Sequence, residues 1–187
     1  MVRIIGGKYK GRSLLSIKSL KVRPTSDRVR ESLFGILGDR MLNAEVLDLC
    51  AGIGAIGIEA FSRGAIKVFF VERDIQILNV IKKNLEKLEI KEDFQISHLN
   101  ALSFVKRYSG RKLHFDFIYI DPPYNYSKNE ELLSCISHGG LLKKEGILVI
   151  EHTRKIIMRD KFRYIEKVRE KIISDTCLSF YEVKNSF

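Results

Sequence analysis

Residues 45–57 read EVLDLCAGIGAIG, an apolar run that leads into a glycine-rich turn and then into a helix-forming segment. The run 45–50 is typical of a buried strand. Glycines at positions 52, 54 and 57 let the chain turn tightly and let a ligand approach the backbone closely. A strand, a turn of this kind and a helix form the nucleotide-binding unit of many α/β folds. The stretch therefore predicts an α/β protein in which this turn holds a nucleotide-like ligand.

Strand and helix patterns alternate on both sides of this unit. Residues 25–38 predict a helix that starts at Thr25 or Ser26 and stops near Gly38. Further strands are predicted at 67–72, 94–98, 115–120 and 146–151, with helices starting near 55, 75, 101 and 128. The helix near 75 is predicted to bury Ile75, Leu78, Ile81, Leu85 and Leu88. The order βαβαβ indicates a parallel sheet, and the runs 162–173 and 176–183 suit a closing antiparallel hairpin.

The composition limits the class of protein. The chain has 187 residues, 45% of them hydrophobic and 30% charged, which suits one globular domain over residues 1–187. No apolar run reaches the roughly 18 residues that span a bilayer, and the N-terminus lacks the apolar stretch of a signal peptide. We therefore expect a cytoplasmic protein with no membrane contact. Three cysteines outside any CxxC pattern argue against disulfides and zinc, and indicate thiols in or near the core.

Two carboxylates flank the glycine turn. Glu72 ends the next strand, 18 residues after Gly54, where an acid can bind both hydroxyls of a ribose. Asp48 directly precedes the turn; it would repel the phosphates of a dinucleotide but suits the ammonium group of S-adenosylmethionine. A P-loop is excluded because no GK[ST] follows the glycines. Asn100 and Ala101, just past the third strand, are candidates for contact with an adenine edge, although an Asn there is more often a turn residue.

The tetrapeptide Asp121-Pro122-Pro123-Tyr124 ends the strand predicted at 115–120. Proline cannot donate to a strand ladder, so the Asp121 carboxylate falls at the carboxyl end of the strand, where open α/β sheets bind ligands. Asp121 can accept a hydrogen bond from an NH2 group, and Tyr124 offers a ring on which a base can stack, worth about 1–3 kcal/mol. The tetrapeptide predicts a socket for an exocyclic amine. The alternative is a proline-ended strand whose Asp caps the next helix.

Positive charge is concentrated near the N-terminus. The formal net charge is +10, and residues 1–30 hold nine basic residues against a single acid, Asp27. Apolar residues and glycines alternate with these charges, which predicts a basic β-hairpin extension over residues 1–24 that contacts a polyanion, followed by a catalytic core over 25–187. A solvated basic face is the alternative. The predicted nucleic-acid contacts are Lys8, Lys10, Arg12, Arg23 and Arg28.

Several motifs occur together in the order of a known enzyme family. RIIGGKYKGRSL and VRPTSDRVRESLFGIL are followed by DLCAGIGAIGIEAFSRGA, VERD, DPPY and GGLLKKEGILVIEH. Over nearly the whole chain they resemble the bacterial 16S ribosomal RNA guanine-N2 methyltransferase family, which belongs to the class I S-adenosylmethionine-dependent methyltransferases. The N-terminal motifs make the resemblance specific, because methyltransferases in general lack them. The departures are Cys50 where an aromatic is expected, Ile53 where a small polar residue is expected, and Asn100 where Asp is common.

This resemblance implies a Rossmann-like class I fold with a seven-stranded, mostly parallel sheet, an antiparallel last strand and helices on both faces. It also implies methyl transfer from S-adenosylmethionine to N2 of one guanine in 16S rRNA, of the guanine 966 type. The partner would be 16S rRNA, within the small ribosomal subunit, and the enzyme a monomer without a metal. The implied roles are these: Asp48, Gly52 and Gly54 for the methionine part, Glu72 for the ribose, Asn100 and Ala101 for the adenine, and Asp121, Pro122 and Tyr124 for the target base.

Three other functions fit parts of the pattern. An adenine-N6 or other amino-methyltransferase acting on DNA or RNA would also use the DPPY motif, because the motif accepts any exocyclic amine. A non-catalytic RNA-binding assembly factor could retain the fold, but the intact Asp121, Glu72 and glycine turn argue against it. An NAD-dependent dehydrogenase would share the glycine turn, and it is disfavoured by Asp48 and by DPPY.

Overall fold

The computed structural model of the chain describes residues 2–16, 25–123 and 128–184. Its strands are β1 (Val2–Arg3), β2 (Ser13–Leu14), β3 (Glu45–Leu49), β4 (Lys67–Glu72), β5 (Asp93–His98), β6 (Phe115–Ile120), β7 (Leu142–Thr153), β8 (Ile165–Ile173) and β9 (Thr176–Val183). Its helices are α1 (Asp27–Leu37), α2 (Ala55–Ser62), α3 (Ile75–Lys87), α4 (Ala101–Tyr108) and α5 (Asn129–Gly139), with a 3-10 helix at Gly38–Met41.

Strands β3 to β9 form one sheet in the order β5-β4-β3-β6-β7-β9-β8. β3 pairs in parallel with both β4 and β6, with Leu47 opposite Phe69 on one side and Ile118 on the other. β9 runs antiparallel to β7 and to β8. The mostly parallel sheet with an antiparallel last strand is therefore confirmed. Strand order reverses between β3 and β6, and the carboxyl edge at such a switch point is where open α/β sheets bind ligands.

Helices cover both faces of the sheet. Helices α1, α2 and α3 and the N-terminal hairpin share one core with the sheet, which includes Phe34, Phe70 and Phe180. Helices α4 and α5 cover the opposite face, where Phe104 and Leu148 are buried. Each such side chain stabilises the fold by about 1.5–3 kcal/mol through its removal from water. The three cysteines are free thiols, one buried and two half-buried, as predicted.

Most predicted boundaries are confirmed, and the exceptions have local causes. Helix α1 starts after Ser26, whose hydroxyl accepts a hydrogen bond from the Val29 N–H. Strand β7 begins at residue 142, earlier than predicted, and β8 begins at residue 165, later than predicted. The predicted buried face of α3 was wrong at Ile75, which is 50% exposed, because Ile75 directly follows the N-cap Asp74 and Ile77 turns inward instead. In the described part of the chain, no helix is long and apolar enough to cross a bilayer.

The predicted N-terminal hairpin is present, and it packs against the core. β1 and β2 pair antiparallel, with Val2 opposite Leu14. Val2, Leu14 and Tyr9 are buried. The Tyr9 N–H donates to the Ser62 hydroxyl of α2 at 2.9 Å, and the Lys87 ammonium of α3 donates to a main-chain carbonyl of β2 at 2.8 Å. The hairpin therefore lies across α2 and α3.

A buried carboxylate holds this hairpin in place. The two Glu59 oxygens accept hydrogen bonds from the backbone N–H groups of Ile5 and Gly6, at 2.8 and 2.9 Å. Glu59 also pairs with Arg63 at 2.9 Å and with Arg30 at 3.6 Å. Neither Glu59 nor Arg30 is exposed to solvent. Residues 2–16 are therefore an integral part of the fold, connected to its core by a buried ionic network.

Candidate active site

The glycine turn joins β3 to α2 at the carboxyl edge of the sheet. Gly52 and Gly54 have φ values of 53° and 81°, left-handed conformations that glycine adopts without strain. Gly57 lets α2 approach β4, because a Cβ at this position would lie 2.3 Å from the Phe70 ring. Cys50 has φ 69° although it is not glycine, a conformation that costs about 1–3 kcal/mol. Asn43, Glu89 and Ser174 also have positive φ values, so the conformation of Cys50 is consistent with a ligand-binding turn but does not identify one by itself.

Glu72, the last residue of β4, faces this turn as its spacing predicted. Its Oε2 accepts a hydrogen bond from the Gly52 N–H at 3.0 Å, and its Oε1 accepts from the N–H groups of Arg73 and Asp74 at 2.8 and 3.0 Å. A carboxylate has about four acceptor positions. One hydroxyl can therefore be added, and a second would replace one of these backbone donors. Glu72 is 8% exposed, so its carboxylate lies below the protein surface at the carboxyl edge of the sheet.

Asp48 lies beneath the turn. Its Oδ2 accepts a hydrogen bond from the Gly57 N–H of α2 at 2.9 Å, and the residue is 1% exposed. Burial raises the pKa of Asp48 to about 8; the Gly57 hydrogen bond lowers the pKa and the nearby negative charge of Glu72 raises it further. At neutral pH the carboxyl group therefore holds its proton in the absence of a cation. A positively charged ligand group above the turn would favour the ionised form.

Asn100 and Ala101 stand at the start of α4, just past β5. The Asn100 Oδ1 accepts a hydrogen bond from the Ser103 N–H at 2.9 Å, so this side chain caps the helix. Asn100 is exposed and Ala101 is buried. The capping interaction uses one atom of the amide, which leaves the Nδ2 group at the edge of the sheet for a ligand.

Asp121 follows β6, next to the strand that leads into the glycine turn. Its N–H lies 3.4 Å from the Leu49 carbonyl oxygen, which continues the pairing of β6 with β3. Its Oδ2 accepts a hydrogen bond from the Thr25 hydroxyl at 3.3 Å. Adjacent strands are about 4.8 Å apart, so Asp121 and the turn are close enough to bind two ligands that touch. Pro122 is buried, whereas Tyr124 lies outside the described residues.

A cleft opens beside Asp121 on the side of β7. It is lined by Asp121, Pro122, Asn129, Glu151, His152 and Ile156, among others. At its base the Tyr119 hydroxyl donates a hydrogen bond to Glu151, and both residues are buried. Burial, followed by the negative charges of Glu151 and Asp121, raises the pKa of Tyr119 well above its ordinary value, so the phenol remains protonated.

Known proteins resemble this chain over most of its length. The family model described as "Conserved hypothetical protein 95" matches residues 2–182. The provisionally named rRNA methyltransferase YlbH of Bacillus subtilis is 34% identical over 97% of this chain and 98% of its own. Ribosomal RNA small subunit methyltransferase D of Haemophilus influenzae is 38% identical over 80% of this chain and 78% of its own. A solved structure, of the provisionally named methyltransferase yhhF of Escherichia coli, is 29% identical with a TM-score of 0.87, and the match covers 99% of both chains.

The chain belongs to the 16S rRNA methyltransferase family to which this family model and these relatives point. The resemblance drawn from its motifs is confirmed, and S-adenosylmethionine is its methyl donor. The alternative of an NAD-dependent dehydrogenase is wrong, because the relatives are methyltransferases. In this methyltransferase Glu72 accepts a hydrogen bond from the Gly52 N–H and Asp48 accepts one from the Gly57 N–H. We propose that Glu72 binds the ribose of the cofactor and that Asp48 binds its methionine ammonium.

The raised pKa of Asp48 predicts pH-dependent cofactor binding by the methyltransferase. Between about pH 6 and 7, where the α-amino group of the ligand is protonated, S-adenosylmethionine affinity should rise with pH by up to about tenfold per pH unit, because the ligand ammonium favours the ionised carboxylate. Binding at pH 7 should release about one proton, measured by calorimetry in buffers of different ionisation enthalpy. Asp48→Asn should bind more weakly and release none. Equal proton release by both proteins would contradict this role.

The same raised pKa of Asp48 should make the cofactor-free methyltransferase less stable as the pH rises. Because the folded pKa of Asp48 lies above its unfolded value, the stabilising contribution of the neutral carboxyl is present at low pH. It is lost as the pH rises through about 8. Asp48→Asn should therefore melt at a higher temperature than the wild type at pH 8, which distinguishes a damaged fold from a damaged site.

The predicted RNA contacts are not equally accessible. Lys10 and Arg28 are exposed. Lys8 is exposed too, but it pairs with Glu92 at 3.0 Å, and the Arg12 guanidinium donates to a carbonyl of α3 at 3.0 Å. Arg23 lies outside the described residues. Arg30, one of the nine basic residues counted above, pairs with Glu59 and cannot contact RNA because it is fully buried.

Sequence patterns missed the residues that support Asp121. Thr25 was considered only as a helix cap, and Tyr119 only as part of an apolar strand. Both lie within reach of the Asp121 carboxylate, and Glu151 lies on the adjacent strand β7. The sequence did contain a signal. Tyr119 lies two residues before Asp121 and therefore on the same side of the extended chain, and Glu151 ends the otherwise apolar run 146–151 of β7.

Proposed function

We propose that this methyltransferase transfers one methyl group from S-adenosylmethionine to the exocyclic N2 of a guanine in 16S rRNA, of the guanine 966 type. The observation that carries the proposal is the position of Asp121, one strand away from the cofactor turn at the switch point of the sheet. Support for the substrate comes from the small-subunit rRNA methyltransferases of Haemophilus influenzae and Escherichia coli, which are 38% and 35% identical to this chain. The enzyme acts as a monomer, without a metal, in the cytoplasm.

To catalyse this reaction, the site must orient a weak nucleophile. The guanine N2 lone pair is delocalised into the ring, and hydrogen bonds from the NH2 to the Asp121 carboxylate and the Pro122 carbonyl favour a pyramidal nitrogen. When bound, S-adenosylmethionine supplies a methyl group on a sulfonium that is already activated. Alignment of the amine can contribute up to about 7–11 kcal/mol. Tyr124 supplies a stacking surface for the base.

The proton leaves only as the new N–C bond forms. Asp121 then accepts it, because its carboxylate already holds one N–H of the amine. Thr25 holds the Oδ2 atom of this carboxylate in place, and the half-buried position of Asp121 gives the proton a path to water. The neighbouring Tyr119 keeps its own proton and does not compete for it.

Removal of exposed charge tests the RNA contacts better than truncation does. Deleting the hairpin would remove the two backbone N–H donors of Glu59. It would also remove one of the two carbonyls to which the Asn84 amide donates, those of Leu15 and of Ile53, and Ile53 lies within the cofactor turn. Truncation would therefore disturb cofactor binding as well as RNA binding.

The double variant Lys10→Gln and Arg28→Gln should weaken RNA binding and leave cofactor affinity unchanged. Each lost phosphate contact should reduce the slope of log K against log salt concentration by about 0.7–0.9, since fewer counterions are released. Filter binding at several salt concentrations measures the slope. Lys112→Gln with Lys144→Gln is the matched control, because both lysines are exposed near the amino-terminal ends of β6 and β7. An unchanged slope in the first variant would exclude these residues as contacts.

Substrate class is tested with labelled S-adenosylmethionine and three acceptors: unmethylated small subunits, free 16S rRNA and DNA. We expect label in the ribosomal RNA. Label in DNA would instead support an amino-methyltransferase acting on DNA. Tight cofactor binding with no transfer to any acceptor would support a non-catalytic assembly factor.

A further inference from the structure

The loop between β7 and β8, residues 154–164, displays an apolar side chain beside the active-site cleft. Ile157 is 92% exposed, the highest value among the exposed large hydrophobic residues that the structure describes. Its neighbour Ile156 lines the cleft together with Asp121 and Pro122. A side chain this exposed gains almost none of the free energy that burial of an isoleucine provides, and burial by a partner would supply it. Because Ile157 directly follows a residue that lines the cleft, a partner that contacts Ile157 can also reach the cleft beside Asp121.

The β7–β8 loop is anchored to the core directly after Ile157. Met158 and Phe162 are 1% and 6% exposed and belong to the core on the α4 and α5 face. The Lys167 ammonium donates to the Met158 carbonyl at 2.9 Å, and the Tyr181 hydroxyl donates to the Arg159 carbonyl at 2.8 Å. Ile157 is therefore presented by an ordered loop, so little conformational entropy would be lost when it enters a partner.

Positive charge surrounds Ile157. The loop carries five basic residues, Arg154, Lys155, Arg159, Lys161 and Arg163, and one acid, Asp160. Asp160 is neutralised by Lys167 at 2.7 Å, and Arg154 pairs with Asp175 at 3.4 Å. Within the described ranges the other four basic side chains have no carboxylate partner. A polyanion therefore fits this surface better than an apolar protein face does.

We propose that Ile157 is a wedge that enters the RNA base stack beside the target guanine, while Lys155 and Arg159 contact the flanking phosphates. The inference rests on the proposed function. A guanine whose N2 reaches Asp121 must leave its stack, which costs a few kcal/mol, and an apolar side chain that takes its place recovers part of that cost. Isoleucine suits this role because it has no polar atom to desolvate. The loop thus forms a second RNA-binding surface, in addition to the N-terminal hairpin.

The test compares methylation of unmodified small subunits by Ile157→Ala, Ile157→Asp and Ile157→Met, with Ile172→Ala as control. Ile172 is also an exposed isoleucine, at 61%, on strand β8. We expect Ile157→Ala and Ile157→Asp to lower kcat/KM about tenfold or more. Ile157→Met should restore the rate to near wild type, and Ile172→Ala should have no effect. Cofactor affinity and thermal midpoint should be the same in all five proteins.

Salt dependence separates the wedge from the charges. Ile157→Ala should lower RNA affinity without changing its salt slope, whereas Lys155→Gln and Arg159→Gln should each reduce the slope by about 0.7–0.9. If the wild type methylates the subunits and Ile157→Ala matches Ile172→Ala, the wedge is refuted while the proposed function stands. A dimer in sedimentation that Ile157→Asp dissociates would show that a second copy covers the residue, and would also refute the wedge. Absence of wild-type activity on any RNA would refute the proposed function itself.

Discussion

Asp121→Ala is expected to lower the rate of methyl transfer by about 10³-fold while S-adenosylmethionine binds almost as tightly as to the wild type. Asp121 follows β6, where its Oδ2 accepts a hydrogen bond from Thr25 and its N–H contacts the end of β3, whereas the glycine turn follows the neighbouring strand β3. The substitution removes the acceptor that orients the amine and takes its proton. Single-turnover kinetics with saturating cofactor measures the chemical step, and calorimetry measures cofactor affinity.

Two further variants test whether the loss of rate is specific to the Asp121 carboxylate. Asp116→Ala removes an acid from the opposite end of the same strand, where it binds Lys143 at 2.8 Å, and it should leave the rate near wild type. Thr25→Val removes the hydroxyl that holds the Asp121 Oδ2 atom, and a loss of about tenfold is expected from misplacement alone. Turnover by Asp121→Ala within a few-fold of the wild type would show that this acid does not orient the amine.

Glu59→Ala is expected to lower the free energy of unfolding by about 3–5 kcal/mol. The substitution leaves the guanidinium of Arg30, which is fully buried, without its Glu59 partner, and it removes the acceptors of two backbone N–H groups in the hairpin. Small domains have only about 5–15 kcal/mol of stability in total, so the variant should unfold at a much lower urea concentration. Residues 2–16 should become sensitive to proteases first.

The control for this prediction is an exposed ion pair of similar length. Glu131 contacts Lys106 at 2.9 Å, with 42% of the Glu131 side chain exposed, and Glu131→Ala should cost less than about 1 kcal/mol. If Glu59→Ala were no more destabilising than Glu131→Ala in urea titrations, the hairpin would not depend on the buried network, and residues 2–16 would behave as a separable arm.

Local patterns predicted most of the fold and the positions of three acids of the candidate site. Some features depend only on a few neighbouring residues: the apolar runs of β4 and β6, the glycine turn and the proline pair. The ends of the strands and the acids located there were therefore predictable. Asp48, Glu72 and Asp121 consequently lie at or beneath the carboxyl edge of adjacent strands, as expected.

Long-range pairing was not predictable from one sequence. Arg30 and Glu59 are 29 positions apart and look like ordinary charges of α1 and α2, yet the packing of the hairpin buries both. Thr25 and Asp121 are 96 positions apart, and only the position of α1 against the sheet brings them together. A glutamate within the apolar helix α2 was the available signal, because a buried acid usually requires a buried partner.

The measurement that tests the central claim most directly is nucleoside analysis of rRNA from unmethylated small subunits after incubation with the enzyme and S-adenosylmethionine. Mass spectrometry of the digested RNA should find one N2-methylguanosine per subunit with the wild type and none with Asp121→Ala. N6-methyladenosine in its place, or a methylated guanine that persists with Asp121→Ala, would contradict the account.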